Sequence, residues 1–360
     1  MYQDFPKSWQ EKIETLDFSQ PTPIQEKAFA PISAGQSLLG ISPTGTGKTL
    51  AYLWPSLLRL KPKKAQQLLI LSPNTELAGQ IFEVCKIWAE PLGLTAQLFL
   101  SGSSQKRQIE RLKKGPEILI GTPGRLFELM KLKKIKMMNV ETIVLDEFDE
   151  LFSDSQFHFV DKIIHHVPRD HQLIYMSATA KFDQEKIAEN VYTIDLTEQG
   201  LDNIQHFYLM VDKRDRLETL RKFANIPDFR ALTFFNSLSD LGAAEEKLTY
   251  RQANVVSLAS DVNVKFRKVI IERFKNKEIT LLLATDLVAR GIDIDHLECV
   301  LNFDLPRDQE TYTHRAGRTG RMGKDGLVIT LISNPSELKT LKKYACVSEL
   351  ILKNQQLFTV

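Results

Sequence analysis

Residues 37–58 read SLLGISPTGTGKTLAYLWPSLL, which is an apolar run, a loop with two glycines and an amphipathic run, in that order. The order predicts a buried strand over 37–41, a turn at 42–49 and a helix opening directly behind it. Gly45 and Gly47 let the turn curl until successive backbone N–H groups point inward. Those donors, with the positive end of the helix behind them, form a cradle for phosphate oxygens. Ser42, Thr44, Gly45, Thr46 and Gly47 would line it, Lys48 would reach the β and γ phosphates, and Thr49 would hold Mg²⁺ through its hydroxyl. Ser42 stands where the strict pattern begins with glycine, and it is still small enough for a tight turn.

Outward from this unit the same grammar recurs. LLILSP (68–73), EILIGTP (117–123), TIVLDE (142–147) and LIYMSA (173–178) are short β-branched and leucine-rich runs bounded by turns or helical patterns. They predict buried parallel strands joined by crossover helices. The pattern returns as ALTFFNS (231–237), VVSLAS (255–260), TLLLATD (280–286), CVLNFD (299–304) and LVITLI (327–332). The expected fold class is α/β, with two tandem domains each built on a mostly parallel sheet flanked by helices. The division is expected in the polar stretch DLTEQGLDN (195–203), giving domains 1–200 and 201–360. Nearly every run ends in a polar or glycine-bearing cluster, and in open α/β sheets ligands collect at those carboxyl ends.

Among 360 residues, 47 basic side chains stand against 45 acidic ones, a net charge of +2, so affinity for nucleic acid must come from where charges are placed. Cys85, Cys299 and Cys346 lie far apart and outside any CxxC spacing. That argues against a disulfide framework or a zinc site and for three buried, small apolar residues. His158, His165, His166 and His171 are close in sequence but lack a ligand spacing, so they predict no metal site. No stretch approaches the roughly 20 apolar residues of a membrane span. A reducing cytoplasm is the expected location.

TIVLDEFD (142–149) places two carboxylates directly after an apolar run, where a strand leaves the core. Asp146 suits coordination of Mg²⁺, and Glu147 is placed to polarise an attacking water. Phe148 is expected to pack its ring beneath the loop. Loop and acidic pair together imply that ATP is bound and hydrolysed.

With these motifs in place, the chain resembles the DEAD-box RNA helicases over nearly its whole length, DEFD standing for DEAD. The resemblance implies two RecA-like domains. FSQPTPIQ (18–25) resembles the family's adenine-reading Q motif, which implies that Gln25 bonds the adenine edge, with Thr22 supporting the loop and Phe18 beside it. SPTGTGKT resembles motif I, PNTELA (73–78) motif Ia, TPGR (122–125) motif Ib, DEFD motif II and SAT (177–179) motif III. FFNS (234–237) resembles motif IV, ATDLVARGID (284–293) motif V and HRAGRTGR (314–321) motif VI. The match implies that Arg318 and Arg321 stabilise charge developing on the γ phosphoryl group and that Asp293 contacts the ribose. With Lys48 and Glu147 these arginines would form the catalytic set, complete only when the domains close. Asp149, Ser177, Thr179, His314 and Arg315 would link the two domains near the γ phosphate.

The same resemblance implies that Pro73, Gly102, Thr122, Gly124, Arg125 and Thr285 line one RNA strand, read through backbone and 2′-hydroxyl with little sequence preference. Residues 101–136 carry ten basic side chains against three acidic ones, of which Arg125 is the favoured phosphate contact and the rest read as a solvated face. Departures from the family pattern fall at Thr75, Ser101, Ala259, Ser260 and Val264, and Phe5 is the closer-than-usual aromatic upstream of the Q motif. The function expected is RNA-stimulated ATP hydrolysis coupled to closure on a single strand and local unwinding. Short duplexes or RNA–protein assemblies such as ribosomal precursors would be remodelled by a monomer working away from membranes. The alternative is an ATP-gated RNA clamp or assembly factor with little unwinding, and a DNA translocase is disfavoured.

Overall fold

The computed structural model describes residues 1–360 apart from 17, 19, 44, 103, 169, 180–181, 198–202, 259–263, 287–296, 321–324, 354 and 360. Thr44, Asp293 and Arg321, together with Ala259 and Ser260, lie outside the described residues. The chain divides into two compact units, Met1–Gln199 and Gly200–Val360.

In the first unit the strands are β1 (Leu38–Ile41), β2 (Leu68–Leu71), β3 (Ala96–Phe99), β4 (Ile118–Gly121), β5 (Thr142–Asp146), β6 (Gln172–Ser177) and β7 (Tyr192–Asp195). They form one sheet in the order β3-β4-β2-β5-β6-β1-β7, and every pairing is parallel. Helices α1 (Lys7–Thr15), α2 (Pro23–Ser33), α3 (Lys48–Arg59) and α4 (Thr75–Ala89) are followed by α5 (Gln105–Leu112), α6 (Pro123–Lys131), α7 (Phe148–Leu151) and α8 (Asp154–His165).

The central strands are apolar at successive positions because both faces of the sheet are covered. Leu68 and Ile70 of β2 pack into one layer with α1 to α4, while Leu69 and Leu71 pack into the other with α6 and α8. Truncating such a residue, Leu69→Ala for instance, costs about 2–5 kcal/mol through lost burial and the cavity left behind. At Gly121 an added Cβ would lie 2.3 Å from the Phe99 carbonyl oxygen, so the close approach of β4 to β3 excludes any side chain there.

The second unit repeats the plan with β8 (Ile204–Met210), β9 (Ala231–Phe235), β10 (Val255–Leu258), β11 (Leu281–Thr285), β12 (Cys299–Asn302) and β13 (Gly326–Ile332). A terminal hairpin of β14 (Ser348–Lys353) and β15 (Gln356–Thr359) completes the order β10-β11-β9-β12-β13-β8-β14-β15. All pairings are parallel except β14 with β15. Cys85 and Cys299 are buried as expected, and burial pushes the Cys85 thiol up to about 12. Cys346 is instead exposed, because it lies past the end of the helix Pro335–Tyr344 rather than in the core.

Candidate nucleotide site

The loop at 42–49 leaves β1 and enters α3 as the sequence predicts. Gly45 and Gly47 both adopt left-handed backbone, at φ 83° and 87°. Lys48 is 9% exposed, and its Nζ donates to the carbonyl oxygens of Ser42 at 2.6 Å and Pro43 at 3.0 Å. Its charge thus lies inside the curl of the loop. Ser42 Oγ donates to Thr46 Oγ1 at 2.7 Å, and Thr46 Oγ1 donates to the Pro43 carbonyl at 2.8 Å. These bonds fix the turn by its side chains and leave its glycines to set the curvature.

Gln25 reaches this loop from the N-terminal turn of α2. Its Oε1 accepts from the Thr22 N–H at 3.0 Å, and its Nε2 donates to the Gly47 carbonyl at 3.3 Å. A Cβ on Gly47 would sit 2.4 Å from that Nε2. Phe18 is half-buried and stands edge-on to Trp54 at 6.5 Å. Phe5 is 4% exposed, with ring centroids 5.3 Å from both Trp9 and Trp54, so it serves the core and presents no face to a base.

Behind the loop, β5 delivers Asp146 at 3% exposure. Its Oδ2 accepts from the Tyr52 hydroxyl at 3.0 Å and its Oδ1 from the Glu147 N–H at 3.1 Å. Burial raises the Asp146 pKa, opposed by the Lys48 charge and the Tyr52 hydrogen bond. The Tyr52 pKa is itself pushed well up by burial and then by Asp146. Tyr52 was not singled out in the sequence, although helical spacing puts it on one face with Lys48 and Thr49. Glu147 adopts left-handed backbone at φ 50°, a conformation that carries strain in a non-glycine residue and recurs at functional sites. Phe148 is fully buried against Phe152, Tyr175 and Phe182, beneath the loop. Thr179 Oγ1 donates to Asp149 Oδ2 at 3.4 Å, while Ser177 Oγ accepts from the Thr179 N–H at 3.0 Å. Burial also raises the Asp149 pKa, with the Ser177 hydrogen bond opposing it.

Of the residues expected to face RNA in this unit, Gly102 is exposed at φ 80°, and Thr122, 9% exposed, keeps a buried Oγ1 without a hydrogen-bond partner among the described residues. Gly124 follows at the start of α6, and Pro73 uses its carbonyl to accept from Gln156 Nε2 at 3.1 Å. Arg125 differs from the expectation. It is 7% exposed, with Nε donating to the Leu100 carbonyl at 3.2 Å and an Nη to Glu128 at 2.7 Å. The guanidinium therefore braces α6 against the end of β3 instead of facing outward.

In the second unit, Thr285 closes β11 at 8% exposure and Arg318 is 9% exposed. His314 is half-buried on the helix Gln309–Ala316. Arg315 on that helix is 1% exposed and stacks over the Phe234 ring at 5.0 Å. Its guanidinium donates to Asp286 at 2.7 Å from two nitrogens, to Asn236 Oδ1 at 2.7 Å, and to Asn302 Oδ1 and the Asp304 carbonyl at 3.1 Å each. Five donors meet acceptors of the same unit, which is all a guanidinium has. Arg315 is thus a hub within the second unit.

The chain is similar to known proteins over most of its length. The family profile of the DEAD/DEAH box helicases matches residues 22–187, and that of the helicase conserved C-terminal domain matches residues 212–323. The chain is 41% identical to the probable ATP-dependent RNA helicase YfmL of Bacillus subtilis, covering 93% of this chain and 91% of that protein. It is 35% identical to the DEAD-box ATP-dependent RNA helicase CshC of Bacillus cereus, covering 99% and 93%. Among solved structures, S. cerevisiae Dbp5 bound to RNA and ADP BeF3 superposes with a TM-score of 0.83 at 26% identity, covering 96% of this chain and 94% of that one. A DEAD box protein from the hyperthermophile Methanococcus jannaschii gives 0.63 at 28% identity, covering 97% and 98%. Among the described residues, no helix is long and apolar enough to cross a membrane.

Proposed function

The chain belongs to the DEAD-box ATP-dependent RNA helicases, and on that premise we propose that it couples ATP hydrolysis at the 42–49 loop to closure on one RNA strand and local unwinding. The observation that carries the reading is the cluster behind the loop, where Tyr52 of α3 holds the buried carboxylate of Asp146 and Lys48 lies within the curl. An all-oxygen donor set of one carboxylate and one hydroxyl fits a hard divalent cation, and Thr49 and Asp146 are the residues that would hold Mg²⁺. When bound, that ion supplies charge neutralisation at the β and γ phosphates.

This chain's own residues account for the remaining chemistry. Lys48 exchanges its two carbonyl partners for phosphate oxygens, and the backbone donors of the loop orient the chain of phosphates. Glu147 accepts a proton from the attacking water. Gln25, already bonded to Gly47, reads the adenine edge, with Phe18 and Thr22 alongside. Arg318 and Arg321 supply cations to the γ phosphoryl group on closure, and Asp293 takes the ribose. RNA lies along Pro73, Gly102, Thr122, Gly124 and Thr285, with Arg125 shaping the loop from behind. The work is placed in the cytoplasm, on short duplexes or RNA–protein assemblies such as ribosomal precursors, and is done by a monomer.

Steady-state ATP hydrolysis with and without single-stranded RNA tests the reading, and no stimulation at saturating RNA would sink it. Glu147→Gln should keep nucleotide affinity while lowering turnover by about 10²-fold or more, the usual worth of a general base. A strand-displacement assay on a short duplex separates unwinding from an ATP-gated clamp, a reading favoured by the exposed Thr75 at the start of α4 where the family pattern has arginine.

A further inference from the structure

The amino ends of the parallel strands form the opposite edge of the first unit's sheet, away from the loop and the DEFD turn. Three connections meet there, residues 61–67 before β2, 113–117 before β4 and 133–141 before β5. They are stitched together by named bonds. The Lys63 N–H donates to Glu117 Oε1 at 2.7 Å, and the Gln66 N–H donates to the Pro116 carbonyl at 2.8 Å. The Lys136 N–H donates to Gln66 Oε1, Asn139 Nδ2 to the Ala65 carbonyl at 3.2 Å, and the Glu141 N–H to the Gln67 carbonyl at 2.9 Å. Lys63 and Lys133 both adopt left-handed backbone, at φ 66° and 54°, so two of the turns are tight enough to hold a lysine at their apex.

What the convergence achieves is a concentration of charge that the sequence, read in line, does not reveal. Lys61 and Lys63 come from the first connection, Lys114 from the second, and Lys133, Lys134 and Lys136 from the third. All six are exposed and have no acidic partner among the described residues. Two further lysines are paired, Lys64 with Glu141 and Lys113 with Glu110 at 2.7 Å. Glu117 is 3% exposed and holds Thr95 and Lys63, so it does not offset the patch from its surface. Like charges this close would be dispersed on an ordinary solvated face. Here hydrogen bonds hold the three connections together at the same edge of adjacent strands β4, β2 and β5.

We propose that this lysine patch is a second docking surface for the phosphate backbone of RNA, holding a segment outside the strand gripped at the carboxyl edge of the sheet. The proposal rests on the reading that RNA is the substrate. Strands of four or five residues at about 3.3 Å each separate the two edges by roughly 15 Å, so one RNA with an adjoining duplex can reach both. Lysines without interleaved aromatics give charge but neither stacking nor base readout, which favours a backbone over a single strand's bases.

The test is a triple variant with one exchange per connection, Lys63→Gln, Lys114→Gln and Lys134→Gln, all on exposed side chains. Affinity is measured against salt for a short single strand and for the same strand joined to a long duplex. The duplex-bearing RNA should bind about tenfold more weakly at moderate salt, and the slope of log affinity against log salt should fall by about two to three. Short-strand affinity and RNA-stimulated turnover should stay at wild-type values. Wild-type affinity for both RNAs would overturn the proposal and point to an acidic protein partner. An equal loss for both would overturn it too, because the lysines would then act by general attraction. If ATP hydrolysis by the unaltered protein ignored the short strand, the helicase reading itself would fail, and this inference with it.

Discussion

The hydroxyl of Tyr52 donates a 3.0 Å hydrogen bond to Oδ2 of Asp146, and both side chains are buried. That bond ties one of the residues proposed to hold Mg²⁺ to α3, the helix that carries the other, Thr49. Tyr52→Phe keeps the ring and leaves a buried carboxylate one donor short, a loss of about 1–3 kcal/mol. The Mg²⁺ concentration for half-maximal ATP hydrolysis should rise several-fold while kcat at saturating Mg²⁺ stays near the wild-type value. A Mg²⁺ titration with an unmoved midpoint would refute the tie.

Burial holds the Asp146 pKa above its ordinary value in the folded protein. A raised carboxyl favours folding while protonated, and that contribution is lost as pH climbs from the ordinary carboxylate range through the folded value. At neutral pH the ionised group therefore opposes folding of the nucleotide-free protein. Asp146→Asn should raise Tm at neutral pH, lose that gain toward about pH 4, and abolish ATP hydrolysis. Calorimetry across pH checks the sign; a lower Tm at neutral pH would contradict it.

The Arg315 guanidinium holds Asp286, Asn236, Asn302 and the Asp304 carbonyl at once. Arg315→Lys keeps the charge but has too few donors and the wrong shape, costing about 1–3 kcal/mol. Arg315→Ala strands the carboxylate and should cost about 3–5 kcal/mol. Urea denaturation should show the loss in the second unit, with ATP binding by the first intact. Wild-type stability combined with lost turnover would instead mean that the arginine works across the units.

Gly47→Ala combines a left-handed backbone with a Cβ 2.4 Å from Gln25 Nε2. The backbone strain alone is worth about 1–2 kcal/mol, and the clash would push Gln25 off the loop. KM for ATP should rise at least tenfold, and selectivity for ATP over GTP should fall with it. Competition binding with both nucleotides reads this directly.

Ten strands were legible because each is buried along all or nearly all of its length and so reads as a mainly apolar run. Missed were β3, β7, β8, β14 and β15, whose exposed or half-buried positions interrupt such a run. The phosphate loop and the acidic turn were equally plain, since backbone curvature demands glycine and a strand end demands polar residues. The direction of arginines was not. A guanidinium serves as readily inward as outward, and only the positions of its acceptors decide, as Arg125 and Arg315 demonstrate. One clue to the second was present. Asn302 interrupts the buried run CVLNFD, and a polar residue there needs a partner.

The full occupancy of Arg315 also bears on how the protein can vary through descent. Asn236, Asp286 and Asn302 come from three separate segments, yet an oxygen of each accepts from one guanidinium. Loss of Arg315 takes a donor from all three, and loss of any one of the three leaves the buried guanidinium short of an acceptor, so drift at one position is constrained by the others. The four should be inherited as a block, covarying among relatives even where the surrounding strands diverge.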